Sequence, residues 1–145
     1  MKIGLASDHA GFELKKFVKS YVEQKGYICK DFGAYSAEPS DYPDYAHLLA
    51  EAVESKEVCI GIALCGSGNG IGMALNKHQG IRAAICWNAS LVQMARAHND
   101  ANILVLPARY ISQKDAEEMV NVFFETPFEG GRHKIRIDKI PICSY

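Results

Sequence analysis

Apolar positions along the chain follow two rhythms in alternation. Short runs of four to seven apolar or β-branched residues are separated by longer stretches in which apolar residues recur every three or four positions, the spacing of one helix face. The runs predict strands at 2–7, 27–32, 58–64, 81–86 and 102–106. The longer stretches predict helices at 12–25, 44–55, 71–78, 88–98 and 112–125. In the first helix Leu14, Phe17, Val18 and Tyr21 share a stripe, and Gly26 is its stop. Ser112 is the expected N-cap of the last. The run 58–64 is apolar throughout, as expected of a strand buried on both faces.

Five strand–helix units in succession predict an α/β fold of three αβα layers, a Rossmann-like parallel sheet with helices on both faces. The expected strand order is 2-1-3-4-5. No repeat, linker or low-complexity tract divides residues 1–145, so a single domain is expected, ending in a basic tail over 130–145. Ligands on such sheets sit beyond the carboxyl ends of the strands, near the switch point of the topology. Those ends carry Asp8 and His9, then Asp41 and Tyr42, then residues 65–70, and finally Arg109. With strands 1 and 3 adjacent, Asp8, His9 and Cys65 are expected at one mouth.

Composition narrows the function. A net charge of −1 gives no basic excess for nucleic acid or a membrane surface. No apolar run reaches membrane-spanning length, and the first twelve residues lack a signal peptide's apolar core, so a cytoplasmic protein is expected. Five cysteines (Cys29, Cys59, Cys65, Cys86 and Cys143) without a Cys-x-x-Cys pair argue against a disulfide framework and a thiolate zinc site. No metal and no cofactor are expected.

The chemistry concentrates after the third strand, in Cys65-Gly66-Ser67-Gly68-Asn69-Gly70. Glycines at alternate positions let successive backbone N–H groups turn toward one point, and the following helix adds its positive end, so the loop suits an anion. A dinucleotide fingerprint fails because Ile71 stands where its third glycine belongs, and no Asp or Glu follows until Asp100. A P-loop lacks its Gly-Lys-Ser/Thr, and a cysteine phosphatase loop lacks its arginine, again at Ile71. The acid-free stretch 58–99 holds Lys77, His78, Arg82, Arg96 and His98, a field that favours an anion. Cys65 is expected to be partly exposed, its thiolate stabilised by the helix end. It can then serve as a base for a carbon acid, with adjoining N–H groups holding the enediolate oxygen.

His98 closes the fourth helix, beneath the amino end of the fifth strand. Cys65 stands one strand length away, roughly 17–20 Å. If the two share a site, His98 comes from another subunit. In the tail, Arg132 and Arg136 fall four apart, on one face of a helix, and their planar forks suit phosphate. With Arg109 and His9 they make a candidate phosphate grip.

The segments SDHAGFELK, DYPDYA, CGSGNGIGMALNK, GIRAA, HNDANIL and EGGRHKIRI occur in one order over nearly the whole chain. In this the sequence resembles the B-type ribose-5-phosphate isomerases of the ribose/galactose isomerase family. The resemblance implies that Cys65 is the enolising base, that Ser67 assists proton movement between sugar oxygens, and that the N–H groups of Gly66, Ser67, Gly68, Asn69 and Gly70 form the anion hole. It implies that His98 opens the furanose ring and that Asp8 orients the sugar. Tyr42 and Asn99 would contact the sugar, while His9, Arg109, Arg132 and Arg136 would hold the phosphate. It also implies a homodimer or tetramer with shared sites. Some family members use a glutamate directly after the loop in place of the cysteine. Ile71 stands there in this chain, which points to the cysteine subtype. The LPAR segment around Arg109 departs from the usual glycine-containing form. Isomerisation of a 6-phospho-hexose, such as allose or galactose 6-phosphate, and a non-catalytic sugar-phosphate module both stay open.

Overall fold

A computed structural model describes residues 1–142; Cys143 and the last two tail positions lie outside the described residues. Five strands, β1 (Lys2–Ser7), β2 (Ile28–Asp31), β3 (Ile60–Cys65), β4 (Ala83–Ile85) and β5 (Ile103–Pro107), form one parallel sheet. Helices α1 (Phe12–Gln24), α2 (Tyr42–Glu54), α3 (Asn69–Leu75), α4 (Ala89–Asn99), α5 (Gln113–Glu125) and α6 (Arg132–Ile137) complete the chain.

The strand order is 2-1-3-5-4, not the expected 2-1-3-4-5. Burial explains the exchange. All five residues of β5 are buried, which suits a central strand with helices on both faces. The three residues of β4 are only half-buried, and β2 alternates between exposed and half-buried positions. These two take the edges. The exchange sets Cys65 opposite Pro107 and brings the segment after β5 against the loop after β3.

Within β3 the side chains alternate. Ile62 and Leu64 join Leu104 and Leu106 beneath Val18, Val22, Val92 and Phe123 of α1, α4 and α5. Ala63 and Cys65 join Ile103 and Val105 beneath Leu49, Ala50, Ile71 and Leu75 of α2 and α3. Each buried large side chain contributes about 1.5–3 kcal/mol. Connections that step toward β2 cross one face and those that step toward β4 cross the other, as right-handed crossovers require. The polypeptide therefore leaves β1 and β3 toward opposite faces, which opens a crevice at their carboxyl ends.

Helix boundaries moved where caps decide them. Asn88 caps α4 by accepting from Leu91 N–H at 2.9 Å. Ser112 caps α5 as expected, in a reciprocal capping box with Asp115. Helix α2 begins at Tyr42, two residues before the expected start, with Pro43 in its first turn. Helix α3 begins at Asn69 rather than 71, after Gly68 at φ +81°.

Lys15 braces the carboxyl edge. It is fully buried on α1, and its ammonium reaches Asp31 Oδ1 at 2.7 Å and the Ala34 carbonyl at 2.5 Å. Desolvation lowers its pKa, and the bond to Asp31 acts the other way. Ser7, at the end of β1, exchanges backbone hydrogen bonds with Gly33 and Ala34. The start of the Asp8–His9 segment is thereby tied to the turn after β2. Among the described residues no helix is long and apolar enough to cross a membrane.

Candidate active site

The loop after β3 forms a ridge between two hollows at the carboxyl edge. On the β1 side a hollow of about 520 Å³ is lined by Asp8, His9, Ser40, Asp41, Tyr42 and neighbours. On the β5 side one of about 500 Å³ is lined by Ser67, Asn69, Ile85, Trp87, Pro107 and Tyr110. Both are of ligand size.

The ridge keeps its N–H groups free. Asn69 N–H bonds weakly to Ser67 Oγ at 3.3 Å, and Gly72 N–H begins the helical ladder on Gly68 O. Among the described residues, the N–H groups of Gly66, Ser67, Gly68 and Gly70 have no acceptor within the chain. Four unpaired donors in a strand–helix turn suit an anion or a developing oxyanion. Two glycines have close neighbours. A side chain at position 70 would run into the phenol ring of Tyr42, and one at position 66 would meet the Arg109 guanidinium at 3.1 Å. Arg109 N–H also donates to the Gly66 carbonyl at 3.0 Å.

The exposure expected of Cys65 is corrected. As the last residue of β3 it lies on the α2–α3 face of the sheet and is 4% exposed. The strand's alternation aims it at the core beneath α2 and α3. Ile71 is fully buried, so nothing at that position meets solvent.

The β1 side is held by short-range bonds. Asp8 is buried and its Oδ1 accepts from Gly11 N–H at 3.1 Å. His9 N–H donates to Ser40 Oγ at 3.0 Å, and Ser40 N–H donates back to His9 Nδ1 at 3.1 Å. Ser40 had no sequence signal beyond the turn-forming loop around it.

The remaining predicted residues gather elsewhere. His98 and Asn99 end α4, just ahead of β5, and Asn99 lines a small hollow with Asn76, Arg82 and Ala101 at the amino edge. Residue 103, four positions after Asn99, pairs with Gly61 at the amino end of β3. The His98 ring stacks on His133 of α6, centroids 4.2 Å apart and planes within 11°. Helix α6 buries His133 and Ile137 and leaves Arg132 and Arg136 exposed, on one face as their spacing predicts. Burial, then the adjacent His98 and Arg132, hold the His133 imidazole below its ordinary pKa, and Glu129 acts the other way. The chain thus carries two half-sets. Cys65, Gly66, Ser67, Gly68, Asn69, Gly70, Asp8, His9, Tyr42 and Arg109 lie at the carboxyl edge, and His98, Asn99, Arg132 and Arg136 at the other. Sequence reading missed Glu129, His133, Trp87 and Tyr110. The i,i+4 spacing of Glu129 and His133 was the available signal for the first two.

A profile of the Ribose/Galactose Isomerase family matches residues 3–140. The fold is similar to that of a ribose 5-phosphate isomerase from Thermotoga maritima, with TM-score 0.95 and 51% identity over 97% of both chains. It is also similar to ribose-5-phosphate isomerase B from Mycoplasma genitalium with bound ribulose-5-phosphate, with TM-score 0.91 and 39% identity over 96% of this chain and 93% of that one. Ribose-5-phosphate isomerase B of Escherichia coli is 40% identical over 139 residues, 96% of this chain and 93% of its own.

Proposed function

The chain belongs to the ribose/galactose isomerase family, and from that premise we propose that it interconverts D-ribose 5-phosphate and D-ribulose 5-phosphate through a cis-enediolate. The observation that carries this is the row of unpaired N–H groups directly after Cys65, at the crevice between β1 and β3. In the reaction His98 opens the furanose ring. The Cys65 thiolate takes the proton from C2, and the loop N–H groups stabilise the oxygen that becomes negative. Ser67 carries a proton between the two sugar oxygens, and Cys65 delivers one to C1. The proton leaving one carbon balances the proton reaching the other, so the step needs no redox cofactor.

Asp8 orients the sugar, Tyr42 and Asn99 contact it, and His9, Arg109, Arg132 and Arg136 hold the phosphate. This assignment needs a homodimer, or a tetramer made of two such dimers, in which one subunit's Cys65 half meets the other's His98 half. The support is the separation of the two sets within one chain. Unpaired Cys29, Cys59, Cys65 and Cys86 fit the reducing cytoplasm.

A panel of ribose 5-phosphate, allose 6-phosphate and galactose 6-phosphate tests the reading. The five-carbon substrate is expected to give the highest kcat/KM. A preference for a six-carbon phosphate would move the chain to the hexose branch. Binding without turnover of any would make it a sugar-phosphate module.

A further inference from the structure

Glu129 joins two histidines that the sequence separates. Its Oε2 lies 3.5 Å from His98 Nε2 and 3.6 Å from His133 Nε2. One ligand atom from each of the three lies within 4.8 Å of the others. A tetrahedral ion with bonds of about 2.0–2.1 Å needs ligand atoms about 3.3–3.5 Å apart. Two edges of that figure are already near this length. The third, between the stacked imidazoles, closes if one ring tilts. His98 is free to do so, with its side chain 36% exposed against 10% for His133.

A second observation points the same way. His133 Nε2 is buried and has no hydrogen-bond partner, in a residue 8% exposed. At 3.6 Å the carboxylate is beyond hydrogen-bond reach. A buried imidazole nitrogen left unpaired beside a carboxylate and a second imidazole is a ligand without an acceptor for its electron pair. The backbone holds the trio together, since Glu129 N–H donates to the Ala97 carbonyl at 3.0 Å and ties the loop to the end of α4.

We propose that His98, Glu129 and His133 form a site for a zinc-class divalent metal, and that the bound metal inhibits the enzyme. Two imidazoles and one carboxylate select zinc, nickel or copper over magnesium or calcium, which prefer oxygen. The nearby charges of Arg132 and Arg136 work further against ions held by charge alone. Inhibition follows because the metal takes the imidazole nitrogen that ring opening uses. This second half rests on the isomerase reading, whereas the site itself does not.

Cobalt(II) tests the site without any assay of activity. Titrating the full metal-free chain with cobalt chloride is expected to give visible bands of tetrahedral cobalt at one ion per chain, lost on adding zinc. His133→Gln and Glu129→Gln are each expected to weaken cobalt binding about tenfold or more, with unchanged circular dichroism. Glu129 is 54% exposed, so its variant guards against a folding defect in the other. No visible bands in the wild type, equal bands in both variants, or sulfur-to-cobalt charge-transfer bands would overturn the site. Zinc is expected to inhibit isomerisation over the range in which it displaces cobalt, and His133→Gln to resist it. Zinc binding at the trio without inhibition would overturn the regulatory half. A chain that gives the bands with cobalt but shows no isomerase activity when metal-free would contradict the isomerase reading and leave the site standing.

Discussion

Cys65 and His98 stand at opposite edges of the sheet of one chain. Cys65 ends β3, whereas His98 closes α4 just before β5 enters at the level of Gly61. The four steps from Gly61 to Cys65 span about 13 Å at about 3.3 Å per strand residue. That separation within one chain supports the proposed pairing of the two side chains across subunits.

Mixing two inactive variants tests that arrangement. Cys65→Ala and His98→Ala dimers, allowed to exchange subunits, form mixed dimers with one intact site and one doubly altered site. With half the dimers mixed, activity is expected to recover to about a quarter of wild type. No recovery after verified exchange would contradict a shared site.

Arg132 and Arg136 lie exposed on one face of α6 beside the His98 half. Losing a hydrogen bond to a charged group costs about 1.5–3 kcal/mol. Replacing either by Gln is therefore expected to raise KM for ribose 5-phosphate about tenfold or more, with a smaller change in kcat. An unchanged KM would remove that residue from the phosphate grip.

The contact between Gly70 and Tyr42 links the helix after the loop to the first turn of α2. Gly70→Ala is expected to destabilise the fold by about 1–3 kcal/mol, as overpacking does. Adding Tyr42→Ala should remove most of the extra cost, because the clash is with that ring. Urea denaturation of the four species measures it. Additive effects would show that the ring is not the obstacle.

Burial pushes the Cys29 and Cys86 thiols up to about 11. At pH 8 only about one part in a thousand of either is then thiolate, the reactive form. Iodoacetamide followed by peptide mass mapping should label exposed Cys59 faster than either of these two. Labelling of Cys86 as fast as Cys59 would contradict the burial.

Most of this architecture was legible in the chain because apolar rhythm and burial are the same property. All five strands and the five longer helices fall where the pattern places them, and Ser112 caps α5 as its type predicts. The order of β4 and β5 was not legible from sequence succession, which favours neighbours. The fully apolar ILVLP run against the IRAAIC segment, interrupted by Arg82, held the cue. The loop after Cys65 was read as an anion cradle from its alternating glycines, and four of its N–H groups are unpaired in the fold. The burial of Cys65 was not, because alternation in β3 fixes which face the sulfur takes, and helix packing fixes what covers it. Glu129 escaped notice because only packing brings His98 of α4 to it, although its spacing from His133 was visible.

The central claim is that the Cys65 sulfur moves the proton, and steady-state kinetics of Cys65→Ala on ribose 5-phosphate tests it most directly. A positioned base contributes about 10²–10⁴-fold, so kcat is expected to fall at least about a hundredfold while KM stays within a few-fold. A folded Cys65→Ala chain turning over near the wild-type rate would contradict the account.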